Sequence, residues 1–160
     1  TISVFEGVPP EIRTFDTAEE ESEAIGGWIL ARLSEGCAAH EIGVFVRSEA
    51  QLKRARAAVK AARATAQELT EKLETETGKV AIGTMHLAKG LEYRAVAVMA
   101  CDDEVIPLQE RVETVADESD LQEVYDTERH LLYVACTRAR DRLLVTGVDP
   151  VSEFVADFAG

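Results

Sequence analysis

The chain alternates short apolar runs with longer segments in which apolar residues recur every three or four positions. The runs at 42–46, 80–83, 95–100 and 142–146 are rich in β-branched residues and predict buried strands. A shorter alternating run at 2–5 predicts a further strand. Strands that alternate with helices predict an open, mostly parallel sheet flanked by helices, an α/β fold that binds ligands at the carboxyl ends of its strands.

The helical segments carry their own start and stop signals. Two possible capping boxes, at 17–20 and 119–122, predict the starts of two helices. A third periodic segment begins at Leu52, and the threonines in its second half favour a break near Ala64 followed by a short strand. The stretch from 101 to 118 is acidic and contains proline, so we expect it to be irregular.

Length and composition limit the class of protein. With 160 residues and 46% hydrophobic content, the chain can bury one well-formed core, and we expect a single domain over residues 1–160. No apolar run approaches the roughly 20 residues of a membrane span, which favours a cytoplasmic protein with no membrane contact. Three widely spaced cysteines, Cys37, Cys101 and Cys136, argue against a disulfide framework or a zinc site and predict buried free thiols.

Charge is distributed unevenly along the chain. The net charge of −13 argues against a general nucleic-acid binder, which displaces phosphate counterions with a basic face. Residues 102–128 hold eleven acids and one base, whereas residues 47–63 hold six bases and one acid. This pattern fits a domain that contacts nucleic acid over a narrow strip, and it fits equally a domain that binds a protein partner through its acidic surface.

Three segments resemble helicase motifs. The sequences TMHLAKGLEY at 84–93 and ERHLLYVACTRA at 128–139 resemble motifs V and VI of UvrD/Rep-type superfamily 1 DNA helicases, and IGVFVRS at 42–48 is similar to motif IV. The resemblance implies a second RecA-like motor domain, which closes over ATP and Mg²⁺ held by a first motor domain of the same chain. The segment 49–79 is too short for the extra domain that large members insert between motifs IV and V.

Four residues are assigned to ATP by this resemblance. Arg47 and Arg138 would reach the terminal phosphate from opposite sides, as arginine fingers, because guanidinium can stabilise charge on a transferring phosphoryl group. Glu92 would accept a hydrogen bond from the ribose, and Gly90 would let the backbone approach the ligand. Without the resemblance, Arg47 is an ordinary surface arginine after a strand, Gly90 a turn residue and Glu92 part of a solvated face.

Three further residues are assigned to the nucleic acid. Thr84 would contact a phosphate through its hydroxyl, and His86 would contact the strand by stacking or by a polar contact. Lys89 would bind a phosphate or order the polar hinge between the strands at 80–83 and 95–100. We expect this hinge, Arg47 and Arg138 to meet at one edge of the sheet.

The resulting function hypothesis is the C-terminal motor domain of an ATP-dependent DNA helicase that translocates 3′ to 5′. The 160 residues contain no G-x-x-x-x-G-K-[ST] phosphate cradle, so we expect them to be inactive alone and to be part of a longer chain. Two alternatives stay open. One is a non-catalytic module that binds a protein partner, and the other is the motor part of a helicase-nuclease.

Two aromatic residues are assigned to packing. Trp28 lies beside apolar residues of the first predicted helix, and Tyr133 follows two leucines on a helix that must bury one face. We therefore expect both side chains in the core.

Overall fold

The apolar runs pair side by side in one parallel sheet in this computed structural model, which describes residues 9–71 and 76–158. The six strands are β1 (Glu11–Phe15), β2 (Ile42–Val46), β3 (Thr65–Glu68), β4 (Lys79–Thr84), β5 (Tyr93–Val98) and β6 (Ala139–Val148). Their order across the sheet is β1-β6-β5-β2-β4-β3, and every pair of neighbours is parallel. The predicted α/β class is confirmed.

Helices cover both faces of this sheet. They are α1 (Ala18–Ser34), α2 (Leu52–Ala61), α3 (Gln109–Glu113) and α4 (Glu118–Cys136). The helices α1 and α2 pack on each other and on one face, while α4 packs on the other. Neighbouring residues of β2 show the division, since Val44 belongs to the core under α1 and α2 and Phe45 to the core under α4.

Local sequence signals place most of the elements correctly. The strand predicted at 42–46 has those bounds, and α2 ends at Ala61 before β3, so the predicted break is confirmed. Thr17 caps α1 by accepting a hydrogen bond from the Glu20 amide at 3.1 Å. Trp28 is buried, as predicted.

Other boundaries differ for physical reasons. The strand β1 was not predicted, because it is an edge strand of five residues whose side chains are all at least partly exposed. Asp117, whose side chain accepts a hydrogen bond from the Asp120 amide at 2.9 Å, caps α4, so the capping box predicted at 119–122 is wrong. The strand predicted at 2–5 lies outside the described residues.

The polar hinge crosses the sheet from one edge to the other. We call the side where the strands end the carboxyl edge and the side where they begin the amino edge. The hinge, residues 85–92, leaves β4 at the carboxyl edge and enters β5 at the amino edge. It contains one 3-10 turn, Met85–Leu87, and buries Met85 and Ala88 in the core on the α4 face.

No helix among residues 9–71 and 76–158 combines the length and the apolar character that crossing a membrane requires.

The contact between α1 and α2 depends on one glycine. A Cβ atom at Gly26 would lie 2.6 Å from the Cβ of Ala61 and 3.0 Å from its backbone carbonyl carbon, whereas a Cβ at Gly27 would meet nothing within 4 Å. We expect Gly26→Ala to lower the free energy of unfolding by about 1–3 kcal/mol, because the helices must separate. Gly27→Ala is the matched control and should be neutral or stabilising by roughly 0.5–1 kcal/mol. Urea denaturation measures both, and equal effects would contradict this packing.

Candidate functional site

A cleft of about 520 Å³ opens at the carboxyl edge, where β2 and β4 end. It brings together three of the predicted site residues, Arg47, Thr84 and His86. The complete lining is Arg47, Ser48, Glu49, Ala50, Thr84, His86, Leu108 and Glu110.

Arg47 is buried beneath this cleft and paired with Glu128 of α4. Its Nε donates to Oε1 of Glu128 at 2.8 Å, and its Nη2 donates to Oε2 at 2.6 Å. The two residues are 4% and 1% exposed. This is a two-pronged guanidinium–carboxylate pair that is almost fully buried, so the interpretation of Arg47 as an ordinary surface arginine is wrong.

Glu128 accepts two further hydrogen bonds from the segment before α4. The Leu108 amide donates to Oε1 at 2.7 Å, and Nη1 of Arg111 donates to Oε2 at 2.8 Å. Burial alone would raise the pKa of Glu128, but the hydrogen bonds from Arg47, the Leu108 amide and Arg111 outweigh it and lower the pKa below its ordinary value. The carboxylate therefore stays charged and fixes three separate segments to one another.

His86 lies at the mouth of the cleft in its neutral form. Its pKa is lowered, first by partial removal from water and then by the Arg47 guanidinium. A neutral imidazole contributes a flat ring and a hydrogen-bonding nitrogen at neutral pH, and it adds no positive charge.

Gly90, Glu92 and Arg138 lie toward the amino edge, and Lys89 lies in the hinge between the two edges. Gly90 occupies a left-handed turn with φ of +84°, where a Cβ would meet nothing within 4 Å. Glu92 is 69% exposed and lies 4.0 Å from the Arg140 guanidinium. Lys89 is exposed in the hinge, one residue before Gly90.

Arg138 follows α4 and directly precedes β6. It donates to the Val134 carbonyl at 3.1 Å, to the Leu91 carbonyl at 3.4 Å and to the Thr137 hydroxyl at 3.3 Å. These acceptors are all neutral, and within the described residues Arg138 forms no ion pair. Its charge is therefore available to an anionic ligand.

The structure separates Arg47 from Arg138, so the prediction that all the sites meet at one edge is wrong. Arg47 follows β2 and Arg138 precedes β6, and parallel strands place their ends and their beginnings on opposite edges. The stretch of α4 from Glu128 to Cys136 alone spans about 12 Å at 1.5 Å per residue. Arg47 and Arg138 cannot flank the same phosphate in this arrangement.

The prediction that Tyr133 is in the core is also wrong, because the side chain is 46% exposed. The buried residues of α4 are Glu128, Leu132, Ala135 and Cys136. This stripe turns Tyr133 outward, and the two preceding leucines did not reveal it, since Leu131 is itself only partly buried.

Sequence reasoning missed a second buried carboxylate, Glu21 of α1. It is fully buried and accepts hydrogen bonds from the Ala100 amide at 2.9 Å, the Thr146 hydroxyl at 2.6 Å and Arg54. Arg54 also pairs with Asp102 at 2.7 Å. In sequence, Glu21 is one of three consecutive acids in a helix's first turn, which resembles a solvated face, and no local signal marks it as buried.

The three thiols fit the sequence interpretation. Cys37, Cys101 and Cys136 are buried and unbridged. Burial raises the pKa of all three and keeps the thiols protonated. Among the residues that the structure describes, no group of three His, Cys, Asp or Glu side chains could hold a metal ion.

Comparison with known families agrees with the motif resemblance. The family model of the UvrD-like helicase C-terminal domain matches residues 56–149, which is more than half of the chain. The chain belongs to this family. The matched region contains the hinge, α4 and Arg138.

Relatives of this UvrD-like domain are helicases of much greater length. The chain is 40% identical to the ATP-dependent DNA helicase UvrD1 of Mycobacterium leprae over 73 residues. This matched region is 46% of the chain and 8% of that protein. The chain is 41% identical to the putative ATP-dependent DNA helicase YjcD of Bacillus subtilis over 78 residues. This matched region is 48% of the chain and 10% of that protein. The chain thus matches about a tenth of the length of these relatives.

A solved structure supports the fold of the UvrD-like domain. The C-terminal domain of a possible DNA helicase from Lactobacillus plantarum superposes with a TM-score of 0.67, covering 95% of this chain and 81% of that one. At 22% sequence identity, this likeness shows a common fold.

The pKa of Glu128 leads to an acid-stability experiment. Because the folded-state pKa lies below the unfolded one, the carboxylate stabilises the fold above the ordinary glutamate pKa, and this contribution is lost as the pH falls through the folded-state pKa. We expect Glu128→Gln to cost roughly 3 kcal/mol at neutral pH, since it leaves Arg47 buried and unpaired, and less in acid. Urea denaturation at several pH values measures the difference. The exposed Glu123→Gln on the same helix is the control, and a cost for Glu128→Gln that does not change with pH would contradict the assignment.

Proposed function

We propose that this domain is the C-terminal motor domain of an ATP-dependent DNA helicase, with its nucleotide side at the amino edge and its DNA side at the carboxyl edge. The observation that carries the proposal is the path of the hinge. It starts at Thr84 and His86 beside the cleft and ends at Gly90 and Glu92 beside Arg138.

The amino edge supplies groups that fit a nucleotide. No carboxylate among the described residues pairs with Arg138, the space beside Gly90 is open, and Glu92 is exposed to accept a hydrogen bond. Bound ATP with Mg²⁺ would supply the phosphoryl group to be transferred, and the phosphate cradle and the metal ligands would come from a first motor domain of the same protein. Arg138 would act as the arginine finger, holding its charge against the terminal phosphate.

Arg47 has a different role in this proposal. Two of its guanidinium nitrogens are committed to Glu128, and it lies at the edge opposite Arg138. We therefore assign it to positioning the floor of the cleft, and we withdraw the assignment of Arg47 as an arginine finger.

The carboxyl edge supplies groups that fit a single DNA strand. Thr84 offers a hydroxyl and His86 a neutral ring that can stack on a base. Lys89, further along the hinge, is free of ion pairs within the described residues and is available to a phosphate. With the hinge connecting both edges, closure of the two motor domains over ATP would move the strand contacts, giving translocation in the 3′ to 5′ direction inside the cytoplasm.

The nucleotide side is tested in the full-length protein by Arg138→Ala. We expect ATPase turnover to fall on the order of 10³-fold, while nucleotide binding changes little, because a finger acts on the transition state. Arg142→Ala is the control, since Arg142 lies in the following strand but pairs with Glu35 at 3.3 Å. Steady-state ATPase assays and nucleotide titrations measure the two effects. Near-normal turnover of Arg138→Ala would refute the finger.

The DNA side is tested by His86→Ala in the same protein. We expect single-stranded DNA to bind about tenfold more weakly, because a stacked base loses its aromatic partner. His130→Ala removes an exposed histidine of α4 outside the cleft and should leave the affinity unchanged. Fluorescence anisotropy with a labelled oligonucleotide measures both variants, and equal affinities would argue against the cleft as the DNA site.

A further inference from the structure

The cleft at the carboxyl edge is negatively charged, which is unusual for a site that contacts DNA. Glu49 and Glu110 line it, and Glu128 lies beneath it. Arg47 and Arg111 supply the positive charge, so three carboxylates face two guanidiniums and the balance is negative by one unit. The helix dipole at the start of the α2 segment adds roughly half a positive charge, which does not reverse the sign.

Two of these carboxylates are free. Glu49 and Glu110 are exposed, and within the described residues neither side-chain carboxylate forms a hydrogen bond or an ion pair. Each can accept a hydrogen bond from a ligand in the cleft. Each also repels a phosphate placed there, because like charges at short distance disfavour binding.

Donors lie beside these acceptors. Nη1 of Arg47 has no hydrogen-bond partner among the described residues and is not one of the fully buried nitrogens, so it is open to the cleft that Arg47 lines. Within the part of the chain that the structure describes, the hydroxyls of Ser48 and Thr84 make no side-chain hydrogen bond, and the ring of His86 adds a flat surface. The cleft therefore presents free acceptors, free donors and a stacking surface together.

We propose that this cleft receives an unstacked nucleobase rather than a backbone phosphate, and that Glu49 and Glu110 select bases that carry an exocyclic amino group. Such a base, cytosine for example, places an amino donor next to a ring acceptor. The amino group would donate to a carboxylate while Nη1 of Arg47 donates to the ring acceptor. The inference rests on the proposed function, since it assumes that single-stranded DNA reaches the carboxyl edge.

A cationic protein segment is the other ligand that two free carboxylates could attract. The Arg47 guanidinium disfavours a cationic ligand, because its free nitrogen would face another positive charge across the cleft. The flat neutral ring of His86 also fits a base better than a lysine side chain.

The experiment compares oligo-dC with oligo-dU of equal length. Cytosine carries an exocyclic amino donor beside an unprotonated ring nitrogen, whereas uracil carries a carbonyl beside a protonated one, and neither base has the methyl group of thymine. Fluorescence anisotropy on the full-length protein gives each dissociation constant at fixed salt. We expect oligo-dC to bind roughly fivefold more tightly than oligo-dU. Glu49→Ala and Glu110→Ala should bring this ratio close to one.

Glu113→Ala provides the matched control. It removes an exposed carboxylate of α3 that does not line the cleft, so it changes the net charge equally and should keep the ratio. All three residues are exposed, so the variants should fold.

Three outcomes would overturn the inference. A ratio of one for the wild-type protein would show that the cleft selects no base. If both oligonucleotides bind equally more tightly to the cleft variants and the ratio is unchanged, the two carboxylates only repel backbone phosphates. Displacement of oligo-dC by oligolysine in wild type but not in the cleft variants would show a protein-docking surface. Absence of any single-stranded DNA binding would instead overturn the proposed function, and this result is distinguishable from the other three.

Discussion

The geometry of the carboxyl edge depends on the buried ion pair between Arg47 and Glu128. Removing two charges from water is costly, and the cost is met only when every charged atom is satisfied. Glu128 achieves this with four donors, from Arg47, Leu108 and Arg111, so the end of β2, the middle of α4 and the loop before α3 are held at fixed distances. The cleft is the space between these segments, and its shape follows from the pair.

A second buried carboxylate, Glu21, connects separate segments on the opposite face of the sheet. Glu21 fixes α1 to the ends of β5 and β6 through the Ala100 amide and the Thr146 hydroxyl, and Arg54 extends the network to Asp102. The carboxyl edge is thus braced by ion pairs from both layers of helices. The amino edge is different, since its ion pairs are partly exposed and Arg138 donates to neutral acceptors alone within the described residues. In the proposed function, the braced carboxyl edge would hold the DNA strand, and the charge of Arg138 would meet a nucleotide when another domain closes.

Local signals in the sequence were sufficient for the four buried strands, because each is a continuous apolar run that can be recognised without reference to the rest of the chain, but they missed the edge strand β1. The buried carboxylates could not be found this way. Glu128 is buried because of a partner 81 residues away, and Glu21 because of partners 79 and 125 residues away. The motif resemblance nominated candidate site residues but did not indicate at which edge of the sheet each one lies. That error was avoidable in principle, because Arg138 precedes a predicted strand whereas Arg47 follows one, and in a parallel sheet this difference alone decides the edge.

The hinge that joins the two edges is short for a connection between parallel strands. Connections between parallel strands usually need a dozen or more residues and a helix, whereas only the eight residues 85–92 connect β4 to β5. These eight residues must return from the carboxyl edge to the amino edge, about 20 Å along the six residues of β5. They must also cross β2, which lies between β4 and β5, a sideways distance of about 10 Å. Eight fully extended residues reach at most about 28 Å, and part of that reach is used by the turn Met85–Leu87. The hinge therefore runs a direct course between the two edges, and its turn packs against α4, the helix that carries Glu128.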